Sequence, residues 1–380
     1  MSLYNELRPK LLSQVEGQDT VKQQLQGMFK SKRIPNALLF TGPRGTGKTT
    51  VARIVARMLN CEQDGEEPCG KCKACRSILN GASFDVIELD AASNNGVENI
   101  RNIIETSQYL PILKYRVIIL DEVHVFMSAS WNALLKILEE PPKNTVFIMC
   151  TTEEHKVPKT IVSRSRRMQF ESIPVNVIVN YLSKICYQNN KTFDIDALKL
   201  IAIASEGGMR DALSILEPFY DDNRITVADV AETLGTTPDS MIFNILKAVG
   251  SSDVYSAVEE LRAASRKGIN MQILLKSIVN AITAAMYVKN GIKLDSLIAT
   301  ENYKKLLNDY VSGVTLRELL TLSKSFSDIY GSVLRVTDSA FFIETFLIST
   351  IAHSCEDTKI LELEMRIEDL ENRIQNNTSS

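Results

Sequence analysis

Eight consecutive residues constrain this chain more than any others: Gly42, Pro43, Arg44, Gly45, Thr46, Gly47, Lys48 and Thr49. They fit the pattern G-x-x-x-x-G-K-S/T without a gap, and Thr50 opens the segment that follows. The flanks agree with the motif. Residues 37–40 (ALLF) form an apolar, strand-like run, and residues 50–59 (TVARIVARML) carry helical periodicity. A glycine-rich turn between strand and helix lets successive backbone N–H groups converge on an anion, and the helix N-terminus adds its positive end. In a loop of this kind Lys48 reaches the β- and γ-phosphates of a nucleotide, and Thr49 holds Mg²⁺. The plainer alternative, a glycine turn ahead of a core helix, leaves the agreement between motif and flanks unexplained.

Further strand-like runs follow at 86–89, 117–120 and 146–150, separated by helical stretches. That alternation predicts a parallel sheet covered on both faces. Asp121 and Glu122 close the third run, at the strand end where open α/β sheets bind ligands. There Asp121 would hold Mg²⁺ and Glu122 would polarise an attacking water; a solvated acidic turn is the alternative. His124 either relays a signal from Glu122 or only packs. After the fourth run, Thr151 or Thr152 would contact the γ-phosphate or the water, unless both merely end the strand. Thr152 is taken as the candidate.

Cys61, Cys69, Cys72 and Cys75 fall within fifteen residues, whereas Cys150, Cys186 and Cys355 are scattered. Two overlapping C-x2-C pairs in a polar loop fit a four-sulfur zinc site better than a secreted disulfide framework or a redox pair. Four cysteine ligands leave no open position, so such a zinc is structural or a docking surface. Lys71, Lys73 and Arg76 would offset its negative charge.

With 380 residues, two or three domains are expected at roughly 150 residues each. A net charge of -3 excludes a surface coated in basic residues, so any nucleic-acid contact must come from a local patch. No uninterrupted apolar run reaches the roughly 18 residues of a membrane span, and the opening MSLYNELRPK is polar. A cytoplasmic location and no membrane partner are the expectation. Beyond Pro174 strand signals fade and helical periods dominate. The predicted architecture is α/β, then all-α: a P-loop domain over 1–172 with the cysteine insert at 61–75, a helical lid over 173–236, a helical collar over 237–355 and an acidic helical tail over 356–380. The tail spaces Leu363, Ile367, Leu370 and Ile374 like a short coiled coil. Arg164 follows the fourth strand, and Arg210 lies in the lid segment GGMRDALS. Either arginine can report a γ-phosphate, Arg210 in cis or Arg164 in trans, or both are surface cations.

Taken together, Arg8-Pro9, Gly17-Gln18, TGPRGTGKTT, the four-cysteine insert, LDAASNNGVENIR, DEVH, WNALLKILEEPP and GGMRDALS resemble the gamma/tau subunits of bacterial DNA polymerase III, AAA+ motors of its clamp loader. The resemblance runs from about residue 7 to 235. It implies ATP with Mg²⁺, a structural zinc, and a hetero-oligomeric spiral, a pentamer with delta-like and delta-prime-like subunits. It also implies a sliding clamp and primed DNA as partners, Arg164 as a finger acting on a neighbouring subunit, and Arg210 as a cis sensor. The chain departs from the family where Ser163-Arg164-Ser165 replaces Ser-Arg-Cys, and where Leu12 and Glu16 replace an aromatic and a hydrophobic residue. The sequence stops before the extra domains of the long tau form, so a short gamma-like, phage or truncated form is the expectation. A non-hydrolysing stator would have lost the P-loop, and other AAA+ motors such as helicase loaders lack the cysteine insert.

Overall fold

The computed structural model describes residues 2–63, 65–93, 96–220, 224–235, 238–292, 300–333 and 340–351. Five strands, β1 (Ala37–Thr41), β2 (Val86–Asp90), β3 (Arg116–Asp121), β4 (Thr145–Thr151) and β5 (Arg166–Gln169), form one sheet in the order β2-β3-β4-β1-β5. Every neighbouring pair is parallel. A parallel sheet covered on both faces needs strands that are apolar on both sides. β1 and β4 are accordingly buried at every position, and β3 at all but its final Asp121.

Side chains alternate between the two faces. Leu38, Phe40, Val117, Ile119, Val146 and Ile148 pack with helices α2 (Asp19–Lys30) and α3 (Lys48–Asn60). Leu39, Ile118, Leu120, Phe147 and Met149 face the opposite way, packing with α5 (Val97–Ser107), α6 (Ser128–Glu139) and α7 (Lys159–Arg164). Two short helices complete this part: α1 (Leu3–Glu6), and α4 (Lys73–Leu79) within the cysteine insert. β5 was not foreseen. It exposes Arg166, Arg167 and Gln169 and buries only Met168, so it carries no apolar run to read. Charge suits an edge strand, because it discourages pairing with another chain.

The contacts divide the chain into two compact units, Met1–Arg224 and Ile225 onward. The first also contains α8 (Val175–Gln188), α9 (Ile195–Ala204) and α10 (Met209–Leu216). The stretch from Gly235 to Pro238, read from sequence as a boundary, lies between two helices of the second unit; Gly235, at φ +57°, ends the earlier one. That unit is helical: α11 (Val227–Leu234), α12 (Asp239–Gly250), α13 (Val254–Arg266), α14 (Met271–Lys289), α15 (Glu301–Ser312), α16 (Leu316–Val333) and α17 (Ala340–Ile351). Thr226, Asp253, Asn270 and Thr300 cap four of these helices through side-chain oxygens. By length and composition α14 could cross a membrane. Its Leu274, Leu275, Ile278 and Ile282 are instead packed in the unit's own core with Phe243 and Phe326. The acidic helix expected near 360–374, and Cys355, lie outside the described residues.

Candidate functional site

Because all five strands are parallel, the ends of β1, β4 and β3 emerge side by side at one edge of the sheet. The P-loop leaves β1, Asp121 ends β3 with Glu122 next to it, and Thr151 ends β4 between them, followed by Thr152 and Glu153. Gly42 has φ +141°, and a Cβ there would sit 2.2 Å from the Phe170 carbonyl oxygen. Gly45 has φ +76°, and its Cβ would meet Gly208 Cα at 2.8 Å. Only glycine lets the loop curl between the sheet and α10 in this way. Thr46 Oγ1 braces the loop by donating to the Pro43 carbonyl at 2.8 Å. Lys48 is buried, and its Nζ donates to the carbonyls of Gly42 (2.8 Å) and Pro43 (2.7 Å). Desolvation pulls the Lys48 pKa down, while the nearby Cys150, Glu122 and Asp121 push it back up. A buried ammonium satisfied only by carbonyl oxygens is a ready partner for an incoming phosphate.

Thr49 Oγ1 donates to Asp121 Oδ2 at 2.6 Å, and Glu122 N donates to Asp121 Oδ1 at 3.0 Å. A hydroxyl and a carboxylate in contact beside a phosphate-binding loop are the oxygen donors a Mg²⁺ site requires. Glu122 itself lies in the left-handed region, at φ +51°. Its Oε2 accepts from Thr152 Oγ1 at 3.3 Å and lies 3.3 Å from His124 Nδ1. The two threonines are thereby told apart. Thr152 faces Glu122, whereas Thr151 is fully buried and its Oγ1 accepts from Glu153 N at 3.0 Å.

Residues 44–50, Asp121 and Glu122 line one cleft with Met209, Arg210 and Leu213 of α10. Its remaining wall is an N-terminal arm that includes Tyr4, Leu7, Pro9, Val15 and Glu16, together with Ile173 and Tyr181. Several contacts pin the arm, among them two from buried or paired side chains. Gln18 clasps the backbone of Glu171, with Nε2 donating to its carbonyl at 2.7 Å and Oε1 accepting its N–H at 3.0 Å. From α3, buried Arg57 donates to the Lys10 carbonyl. Of the two departures in the N-terminal segment, Leu12 is fully buried in the core while Glu16 lines the cleft. The N-terminal segment is expected on the adenine side from its Arg8-Pro9 and Gly17-Gln18 pairs; Tyr4 and Tyr181, which no motif marks, were missed by sequence reasoning.

Arg210 lies against Tyr4. Its guanidinium carbon sits 4.5 Å from the ring centroid, and Nη2 donates to the Tyr4 hydroxyl at 3.2 Å. The Arg210 charge lowers the Tyr4 pKa. The Arg210 backbone N–H also reaches the Gly45 carbonyl at 3.4 Å, tying α10 to the P-loop. Arg164, the last residue of α7, is not among the residues lining this cleft. It is paired with Glu139 at 2.8 Å on the surface, and Nη1 donates to the Thr160 carbonyl at 3.1 Å.

Away from the cleft, Cys61, Cys69, Cys72 and Cys75 place their four Sγ atoms within 4.8 Å of one another, and none is in a disulfide. Tetrahedral Zn–S bonds of about 2.3 Å require sulfurs roughly 3.8 Å apart, so the donor set fits zinc with a small contraction. Backbone N–H groups already point at the sulfurs. Cys69 Sγ accepts from Cys72 N (3.3 Å) and Lys71 N (3.5 Å), which draws the Cys69 thiol down to about 6. Cys61 Sγ accepts from Cys69 N at 3.4 Å, and Cys72 Sγ from Cys75 N at 3.3 Å. Burial pushes the Cys75 thiol up, to about 12.

Residues 17–174 match the family model for the DNA polymerase III delta subunit, residues 177–217 that for the ATPase lid domain of a DNA polymerase III clamp loader subunit, and residues 225–360 that for domain III of the DNA polymerase III subunits gamma and tau. The chain is 36% identical over 337 residues to DNA polymerase III subunit tau of Bacillus subtilis, covering 86% of this chain and 60% of that one. It is 36% identical over 301 residues to DNA polymerase III subunit gamma of Buchnera aphidicola, covering 78% and 81%. With DNA polymerase III subunit gamma/tau of Mycobacterium tuberculosis the identity is 39% over 271 residues, covering 69% and 47%. The chain spans about half the length of most of the curated relatives it matches.

Proposed function

The chain belongs to the gamma/tau family of bacterial DNA polymerase III subunits, and from that premise we propose that it is the ATP-hydrolysing motor of a cytoplasmic clamp loader that opens a sliding clamp and loads it on primed DNA. The observation that carries this reading is the contact between Thr49 and Asp121 in a cleft that also holds Lys48 and Glu122. A stator with no chemistry to perform has no use for that constellation.

In this reading the P-loop N–H groups bind the phosphates, and Lys48 exchanges its two carbonyl partners for the β- and γ-phosphate oxygens. Thr49 and Asp121 would hold Mg²⁺, which would supply positive charge against the phosphates. Glu122 orients and deprotonates the attacking water. The arm residues Leu7, Pro9, Val15 and Ile173 offer an apolar wall for the base. Arg210 leaves Tyr4 for the γ-phosphate and draws α10 with it. Arg164 acts on the nucleotide of a neighbouring subunit, because in its own chain it is absent from the cleft lining. The partners are delta-like and delta-prime-like subunits in a pentamer, the clamp and DNA, with the helical second unit as the collar that assembles them. Zinc held by Cys61, Cys69, Cys72 and Cys75 orders the insert.

ATPase assays on the co-purified complex, with and without clamp and primed DNA, test this reading. Lys48→Ala should lose nucleotide-dependent activity. Glu122→Gln should bind ATP and not turn it over; hydrolysis at the wild-type rate would remove Glu122 as the base.

A further inference from the structure

Glu122 is held at one oxygen only. Its Oε2 meets both Thr152 Oγ1 and His124 Nδ1, each at 3.3 Å. Its Oε1 has no protein hydrogen bond among the described residues, although Glu122 lines the cleft. A glutamate has three rotatable side-chain bonds, and one hydroxyl contact leaves most of that freedom in place. The His124 ring adds a second restraint on that oxygen, with a carboxylate oxygen close to each ring nitrogen. Nδ1 lies 3.3 Å from Glu122, and Nε2 lies 3.3 Å from Glu153 Oε1. Thr151 Oγ1 also lies 3.3 Å from Nδ1. Glu153 is anchored in turn, by Lys156 at 2.9 Å and by its own N–H on Thr151.

A ring that served only to pack would not need a carboxylate opposite each nitrogen. The packing in this turn is done by Val123, which is fully buried, while the His124 side chain keeps 14% exposure. The imidazole also joins the turn after β3 to the turn after β4, two segments that flank the nucleotide cleft from different strands.

We propose that His124 is a positioning residue for Glu122: clasped between Glu122 and Glu153, it anchors Glu122 Oε2 so that the other oxygen of the carboxylate acts on the attacking water. The inference rests on the reading of Glu122 as the base. His124 touches neither nucleotide nor water in this account, and its removal should slow turnover without weakening binding. Misplacing a catalytic group by about 1 Å costs on the order of 10²-fold.

The test compares three variants of the full chain in its complex, each checked for fold by its melting temperature. His124→Asn keeps a polar atom near the Nδ1 position, His124→Gln keeps one near Nε2, and His124→Leu keeps neither. Expected is a kcat about 10- to 100-fold lower in the Leu variant with ATP affinity within about twofold of wild type, and partial recovery in the Asn variant. Glu153→Ala should lower kcat by less, and should add nothing in the His124→Leu background. A His124→Leu chain with kcat within about twofold of wild type overturns the proposal. Equal losses in the Asn, Gln and Leu variants overturn it as well, because the ring's volume rather than its nitrogens would then be responsible. The parallel Glu122→Gln chain separates the two levels. If Glu122→Gln is inactive while His124→Leu runs at full rate, only the positioning role fails; if Glu122→Gln still turns over, the reading of Glu122 fails.

Discussion

Asp85→Ala should damage the sheet unit more than any surface change. The Asp85 side chain is 1% exposed and that of its partner Arg116 is 7% exposed, with Nη2 and Oδ1 2.9 Å apart. Asp85 Oδ2 also accepts from Leu113 N at 2.7 Å, and Arg116 Nη1 donates to the carbonyls of Tyr109 (2.9 Å) and Thr106. The pair therefore supports, from below, a loop whose Tyr109, Leu110 and Ile112 are more than 70% exposed. Removing the carboxylate leaves a buried guanidinium with no anion, and breaking one side of a buried pair costs about 3–5 kcal/mol. Urea unfolding followed by fluorescence reads this unit alone, because the chain has a single tryptophan, Trp131, buried against Phe126 at 5.5 Å between centroids. With a slope of about 3 kcal/mol per molar urea, the midpoint should fall by about 1 M or more. The paired replacement Asp85→Leu with Arg116→Met should recover part of the loss, since it leaves no charge stranded. A midpoint drop below about 0.3 M in Asp85→Ala, less than 1 kcal/mol at that slope, would refute the argument.

Metal analysis of the purified chain should find one tightly bound zinc; its absence, with the Cys61, Cys69, Cys72 and Cys75 thiols all freely titratable, would refute the site. Gly45→Ala should weaken nucleotide binding by about tenfold, since a left-handed φ in a residue with a Cβ costs about 1–3 kcal/mol and the methyl would press on Gly208; fluorescent-nucleotide titration at wild-type affinity would show that the loop relaxes. Arg164→Ala should cost roughly 10³-fold or more in stimulated turnover with little change in ATP affinity. Mixing Arg164→Ala with Lys48→Ala chains should restore part of that activity, and no recovery in oligomers shown to be mixed would exclude action in trans.

Features that are local in the chain could be read directly from the residues. The P-loop is legible because phosphate binding needs glycines, Lys48 and Thr49 at fixed spacing on one turn. The strands β1, β3 and β4 are legible because a sheet buried on both faces demands unbroken apolar runs. The four cysteines are legible because a metal gathers close neighbours in sequence. β5 was not, since an edge strand of RRMQ has only Met168 to bury. Which distant groups meet became visible only in the folded chain. Pairing β3 beside β4 brings Thr152, and not the adjacent Thr151, to Glu122, because successive residues of an extended chain point opposite ways. Folding the N-terminal arm under Arg57 and Gln18 sets Tyr4 against Arg210, 206 positions away. The His124 ring finds a carboxylate at each nitrogen only when two turns from different strands close on it. None of these pairings leaves a periodic or compositional trace, since each depends on where strands and helices pack and not on the spacing of residues along the chain.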